Sequence, residues 1–95
     1  MLKFNNNNQD IGNIKANKKI KVIFTYEGDD KITDLSPTCS CSTAYWNRKN
    51  KEVHVTYSPS SVPVHMKDGY KTVKKVVVKT QDSVEILIFT AQVVN

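Results

Sequence analysis

Two segments of this chain keep a strict two-residue alternation, and that pattern limits its folds more than any other feature. Ile20, Val22, Phe24 and Tyr26 alternate with Lys21, Ile23 and Thr25, and Val53, Val55 and Tyr57 alternate with His54 and Thr56. A β-strand sends successive side chains to opposite faces, so this period predicts half-buried strands and excludes helix at both places. Composition extends the argument to the whole chain. Val, Ile and Thr supply 27 of the 95 residues, whereas Leu and Ala supply six, a bias toward β-branched side chains that suit pleated surfaces. No ten-residue helical pattern is present to bridge parallel strands, which argues against an α/β sheet.

Ninety-five residues fit one domain, since chains divide into several cores only well above this size. Residues 1–10, with their run of Asn at 5–8, read as an N-terminal arm or edge segment, and residues 11–95 read as the domain. Within it, strands are expected at 11–14, 20–26, 43–46, 53–57, 70–80 and 84–93. Residues 32–41 are expected to be extended, with Pro37 marking an edge or a strand end. Turn chemistry falls at 28–31, 47–51 and 80–83, and residues 58–69 form the longest irregular stretch. About seven strands separated by turns predict an all-β fold, an immunoglobulin-like antiparallel β-sandwich.

The ends and the charges narrow function. The opening MLKFNNNNQD lacks the apolar core of a secretory signal, and apolar runs such as 76–78 and 86–89 fall far short of the roughly 20 residues that cross a bilayer. No membrane partner is expected, and without an export signal a cytoplasmic location is expected. Net charge is +5, but 13 of the 14 basic residues are Lys and only Arg48 carries the planar fork suited to phosphates and bases. Lysines gather at 15–21, 48–51 and 67–79 without interleaved aromatic stacking platforms; they read as a solvated surface, and as a binding face they fit an acidic protein better than a nucleic acid.

Candidate chemistry is sparse. Cys39 and Cys41 flank Ser40, which places two thiols on one face of an extended strand. They read as small structural side chains, with a bridged or redox-sensitive pair and a metal site as alternatives. His54 and His65 have no Cys, Ser or acid at a spacing that makes a nucleophile and its base. Asp29, Asp30 and Asp34 lack the ligand positions of a calcium loop. No enzyme activity, cofactor, metal or small-molecule substrate is expected.

The apolar surplus points to protein contacts instead. In the last strand Val84, Ile86 and Ile88 line one face, and Leu87, Phe89, Ala91 and Val93 the other. In a two-layer domain only one of these faces meets the core. Leu87 and Phe89, with Val62, Val64 and Met66 in the 58–69 loop, are the candidate interaction residues; the alternatives are a last strand covered on both sides and a loop whose apolar residues fold back on the sandwich edge.

Several segments together resemble a family. The segments Ile11-Gly12-Asn13-Ile14, Phe24-Thr25-Tyr26-Glu27-Gly28, Thr38-Cys39-Ser40-Cys41-Ser42 and Val53-His54-Val55-Thr56-Tyr57 resemble, in order, the F-G-x-I, F-x-N-x-G, S-C-G-C-T and I-x-V-x-Y pieces of the bacterial immunoglobulin-like domains of unknown function. These are relatives of the ASPM/SPD-2/Hydin-type β-sandwiches. Tyr26 stands for the family's Asn, Ser40 for a Gly, Lys49 to Lys51 for a Pro-Gly turn and Ala91 for a late Gly. The resemblance implies a β-sandwich with Cys39 and Cys41 as its motif and no catalytic residues. A short Asn- and Lys-rich, Arg-poor chain also looks like a phage virion component, in which such modules decorate or cement capsids. The first expectation is therefore an auxiliary capsid protein, partnered by the major capsid protein. A cellular adhesion or scaffold module working by strand-edge pairing and a Cys-based metal or redox protein are the alternatives.

Overall fold

The computed structural model describes residues 2–95 and is all-β, with no helix among the described residues. Eight strands occur in chain order: β1 (Lys3–Phe4), β2 (Asn8–Lys15), β3 (Ile20–Glu27), β4 (Ile32–Pro37), β5 (Ser42–Asn47), β6 (Glu52–Tyr57), β7 (Tyr70–Thr80) and β8 (Val84–Val94). They form two four-stranded sheets, β1-β3-β6-β5 and β2-β8-β7-β4, joined by one core in a sandwich-like arrangement.

The alternating segments become the middle of the first sheet. β3 and β6 pair antiparallel with Val22 opposite Val55 and Phe24 opposite Val53, so the inward set of each strand meets that of the other. Val22, Phe24, Tyr26, Val53, Val55 and Tyr57 are buried, as are Val76 and Val78 of β7 and Leu87, Phe89, Ala91 and Val93 of β8. Tyr57 and Phe89 touch across the sheets with ring centroids 5.6 Å apart, a tilted aromatic contact that adds to the burial of both rings.

The structure settles one expectation about the strands and corrects two. First, of the two readings of residues 1–10, arm or edge segment, the structure has the edge segment, and its two-residue β1 brings the strands to eight. Leu2 is buried, Lys3–Phe4 pairs with β3, and β2 already begins at Asn8. Between them the Asn run carries the chain from one sheet to the other. The Asn5 amide donates to the Thr25 carbonyl at 3.0 Å, and the Ile88 amide donates to the Asn7 carbonyl at 2.8 Å. The Asn6 side chain accepts from the Asn8 amide at 3.3 Å, the local turn that short amide side chains favour.

Second, the sandwich is not wholly antiparallel. β2 runs parallel to β8, from Asn8 opposite Ile88 to Lys15 opposite Val94, with a register shift between Asp10 and Asn13. Gly12 sits at that shift with φ +72°. Third, Cys39 and Cys41 lie in a turn between β4 and β5, not in an extended strand. Extended backbone would hold residues i and i+2 roughly 6.7 Å apart, but the turn brings their Cα atoms to 5.2 Å and the two sulfurs are joined in a disulfide. The Ser42 amide donates to the Cys39 carbonyl at 3.2 Å and closes the corner. β4 ends on Pro37 and is the outermost strand of its sheet, where a residue without an amide proton costs no ladder bond.

Candidate interaction surfaces

Two surfaces stand out. The first is a groove where the sheets part. On β7 the residues Tyr70, Thr72 and Lys74 share the inward parity of Val76, opposite Val93, Ala91 and Phe89 of β8. They are polar and only half-buried, so the core stops there and a groove of about 580 Å³ opens, lined also by Cys39, Cys41, Tyr57 and Met66. The Lys74 ammonium sits 5.8 Å from the centroid of the Tyr57 ring. The Tyr70 hydroxyl donates to the Ser60 carbonyl at 2.9 Å and ties the 58–69 loop to the sheet. Burial pushes the Tyr57 hydroxyl above the ordinary tyrosine pKa, against the lowering effect of a hydrogen bond with Thr72, and neighbouring Tyr70 adds to the rise.

The second surface is the outer face of β7 and β8. Their register sets Val77 opposite Ile86, Lys75 opposite Ile88 and Lys79 opposite Val84. Val73, Val84 and Ile86 are 54 %, 60 % and 46 % exposed. Val77 and Ile88 are half-buried, and Lys71, Lys75 and Lys79 are exposed beside them. The result is an apolar face with Lys71 and Lys79 at its flanks and Lys75 within it, bordered by Asp34 beside Lys79 and Asp10 beside Thr90.

The five residues expected to make contacts are thus divided by the structure. Val64 is fully exposed and Met66 is exposed at the groove mouth, whereas Val62 is half-buried. Leu87 and Phe89 are completely buried in the core and offer nothing to a partner; the other face of β8, with Val84 and Ile86, is the one turned outward. Alternation alone identifies two faces without saying which one meets the core.

The remaining candidates occupy ordinary structural places. Both cysteines are consumed in the disulfide. His54 lies on the outer face of β6, 2.8 Å from a Glu52 carboxylate oxygen and edge-on to Tyr45. Asp34 accepts a hydrogen bond from the Ser36 hydroxyl at 2.7 Å, and Asp29 forms an exposed ion pair with Lys51 at 3.5 Å. Among the described residues no three His, Cys, Asp or Glu side chains gather closely enough to hold a metal ion. Near Gly28 the Trp46 indole donates to the Tyr26 hydroxyl at 2.8 Å, with the Arg48 guanidinium 5.8 Å from the Trp46 ring centroid.

Comparison with protein-family models finds none that matches this chain, and comparison with curated proteins finds no match either.

Proposed function

We propose that this chain is a non-enzymatic, immunoglobulin-like binding module that docks on another protein through the outer face of β7 and β8. Strand order supports the immunoglobulin-like reading. If β1 and β2 are counted as one first strand divided between the sheets, the orders become A-B-E-D and A-G-F-C, matching the seven-stranded constant-type arrangement of ABED against CFG.

The observation that carries the binding role is the uncovered apolar patch of Val73, Val77, Val84, Ile86 and Ile88. Contiguous exposed apolar area rimmed by polar groups marks interaction surfaces. Here Lys71 and Lys79 flank the patch and Lys75 stands within it between Val73 and Val77, while Asp34 lies beside Lys79 and Asp10 beside Thr90, so the matching partner surface is apolar with acidic groups that meet the lysines. In the capsid reading that surface belongs to the outer lattice of a phage capsid, and the module is an auxiliary decoration protein. The small, Asn-rich and Lys-rich, Arg-poor composition supports this setting.

Co-sedimentation with purified capsids tests the reading. The chain should pellet with capsids in a saturable and salt-sensitive manner, and Val73→Asp with Ile86→Asp should abolish that binding while the circular dichroism spectrum is kept. Absence of binding to capsids, or binding untouched by the double substitution, overturns it.

A further inference from the structure

The four outermost strands of the two sheets are not equally protected. β1 has only two residues, β4 carries Pro37 and a register shift between Ile32 and Asp34, and β2 carries the shift at Gly12 flanked by Asp10 and Lys15. Short length, proline, bulges and charges are the devices that keep sheet edges from pairing. β5 has none of them. Its sequence Ser-Thr-Ala-Tyr-Trp-Asn contains no charge, Gly or Pro, and all six residues pair with β6 without a shift.

The backbone groups that β5 turns away from β6 follow from the ladder. The Ser58 amide donates to the Cys41 carbonyl at 2.9 Å, so the residues bonded to β6 are the odd-numbered ones: Thr43, Tyr45 and Asn47. In an antiparallel pair the bonds alternate sides residue by residue. The amides and carbonyls of Ala44 and Trp46 therefore point to the open edge, beyond which the sheet has no further strand among the described residues.

We propose that this edge is a self-pairing interface: β5 of one copy adds antiparallel to β5 of a second copy about a two-fold axis at Tyr45, making one continuous eight-stranded sheet. The fit is self-complementary. A two-fold at Tyr45 sets Ala44 of each copy opposite Trp46 of the other, so the four outward amides and carbonyls on each strand find partners in four hydrogen bonds. Thr43 falls opposite Asn47, and no like charges meet within the strand. Tyr45, 65 % exposed, falls opposite its own copy at the closely spaced, non-hydrogen-bonded position, roughly 4.5 Å between Cα atoms, where aromatic pairs interact best. What selects a second copy is the side-chain match along the strand: small against aromatic at Ala44 and Trp46, polar against polar at Thr43 and Asn47, and aromatic against aromatic at Tyr45. The interface lies on the opposite sheet from the β7–β8 patch and stands whether or not the capsid reading does.

Sedimentation equilibrium on the intact chain tests this. The wild-type chain should approach twice its 10.8 kDa mass as concentration rises. Ala44→Pro removes an amide that points away from β6, leaving the β5–β6 ladder intact, and deletes two of the four intermolecular bonds; the dimer dissociation constant should rise about thirtyfold. Tyr45→Lys sets two ammonium groups face to face at an exposed position and should raise it about fivefold or more. Circular dichroism confirms that each monomer is folded, and Tyr45→Lys decides the matter if Ala44→Pro fails to fold. A wild-type chain that stays monomeric at the highest attainable concentration overturns the proposal, and so does a dimer whose affinity a folded variant leaves unchanged.

Discussion

Neighbouring residues on β8 offer the sharpest test of which face of the last strand is the core. Leu87 is 0 % exposed, whereas Ile86 is 46 % exposed and opposite Val77 on the outer surface. Replacing either by Ala deletes three carbon atoms. For Leu87 the loss of transfer free energy is about 2.4 kcal/mol at 0.8 kcal/mol per carbon. The cavity left between Val76, Phe89 and the opposite sheet raises it to roughly 3–4 kcal/mol. For Ile86 about half of that contact is already with water, so about 1 kcal/mol is lost. A chain of this size has an unfolding entropy near 0.2 kcal/mol/K, so Leu87→Ala should lower Tm by about 15 °C or more and Ile86→Ala by about 5 °C. Differential scanning calorimetry reads both. Binding to capsids should show the reverse order, with Ile86→Ala weakening it and Leu87→Ala leaving it intact below its own Tm. Equal losses of stability, or a greater loss at Ile86, would refute the assignment, because a slip of one residue exchanges the two faces.

Three further outcomes follow from the same geometry. The Cys39–Cys41 bridge closes a loop of only three residues, for which the chain-entropy relation gives about 1.6 kcal/mol; the double change to Ser should lower Tm by about 8 °C, and a loss above about 3 kcal/mol would make the bridge a principal staple instead of a local corner tie. At Gly69, φ is +85° and an added Cβ would overlap the Val93 carbonyl oxygen, whereas at Gly12, φ +72°, it would meet open space; Gly69→Ala should cost well over 2 kcal/mol by urea unfolding and Gly12→Ala about 1–2 kcal/mol, backbone strain alone. Because burial holds the Tyr57 pKa above its ordinary 10.0, the neutral phenol stabilises the fold fully below pH 10 and that contribution is lost as pH rises through the folded-state value. Urea midpoints measured between about pH 9 and pH 11 should fall less steeply for Tyr57→Phe than for wild type.

Much of the all-β architecture was legible because its central strands obey one rule at a time. β3 and β6 alternate cleanly, and their inward sets are the buried sets. β8 was ambiguous for the opposite reason: both its faces are apolar, so period two reveals the existence of the faces and not their direction. The resolving signal lies on its partner. The odd-numbered residues of β7 include Lys71, Lys75 and Lys79, and the short turn after Thr80 fixes Lys79 opposite Val84. Together these place Ile86 and Ile88 on the lysine side, facing water. The Asn run concealed β1 and the start of β2, since its backbone bonds to strands more than 19 residues away, which no local propensity reports. The Cys-Ser-Cys corner was misread as extended because a crossing between sheets is a tertiary event. The β5 edge carried its information in what the segment lacks, which becomes meaningful only once the strand is known to be outermost.

The parallel pairing of β2 with β8 has a mechanical consequence. The two strands point the same way, from Asn8 beside Ile88 to Lys15 beside Val94. Tension applied between the beginning of β2 and the end of β8 therefore drives them past each other along their length. Their hydrogen bonds lie across that direction and are loaded together instead of peeling open one after another. Such a seam works as a clamp in shear, and it lets the domain stay folded while force passes through it from one end to the other.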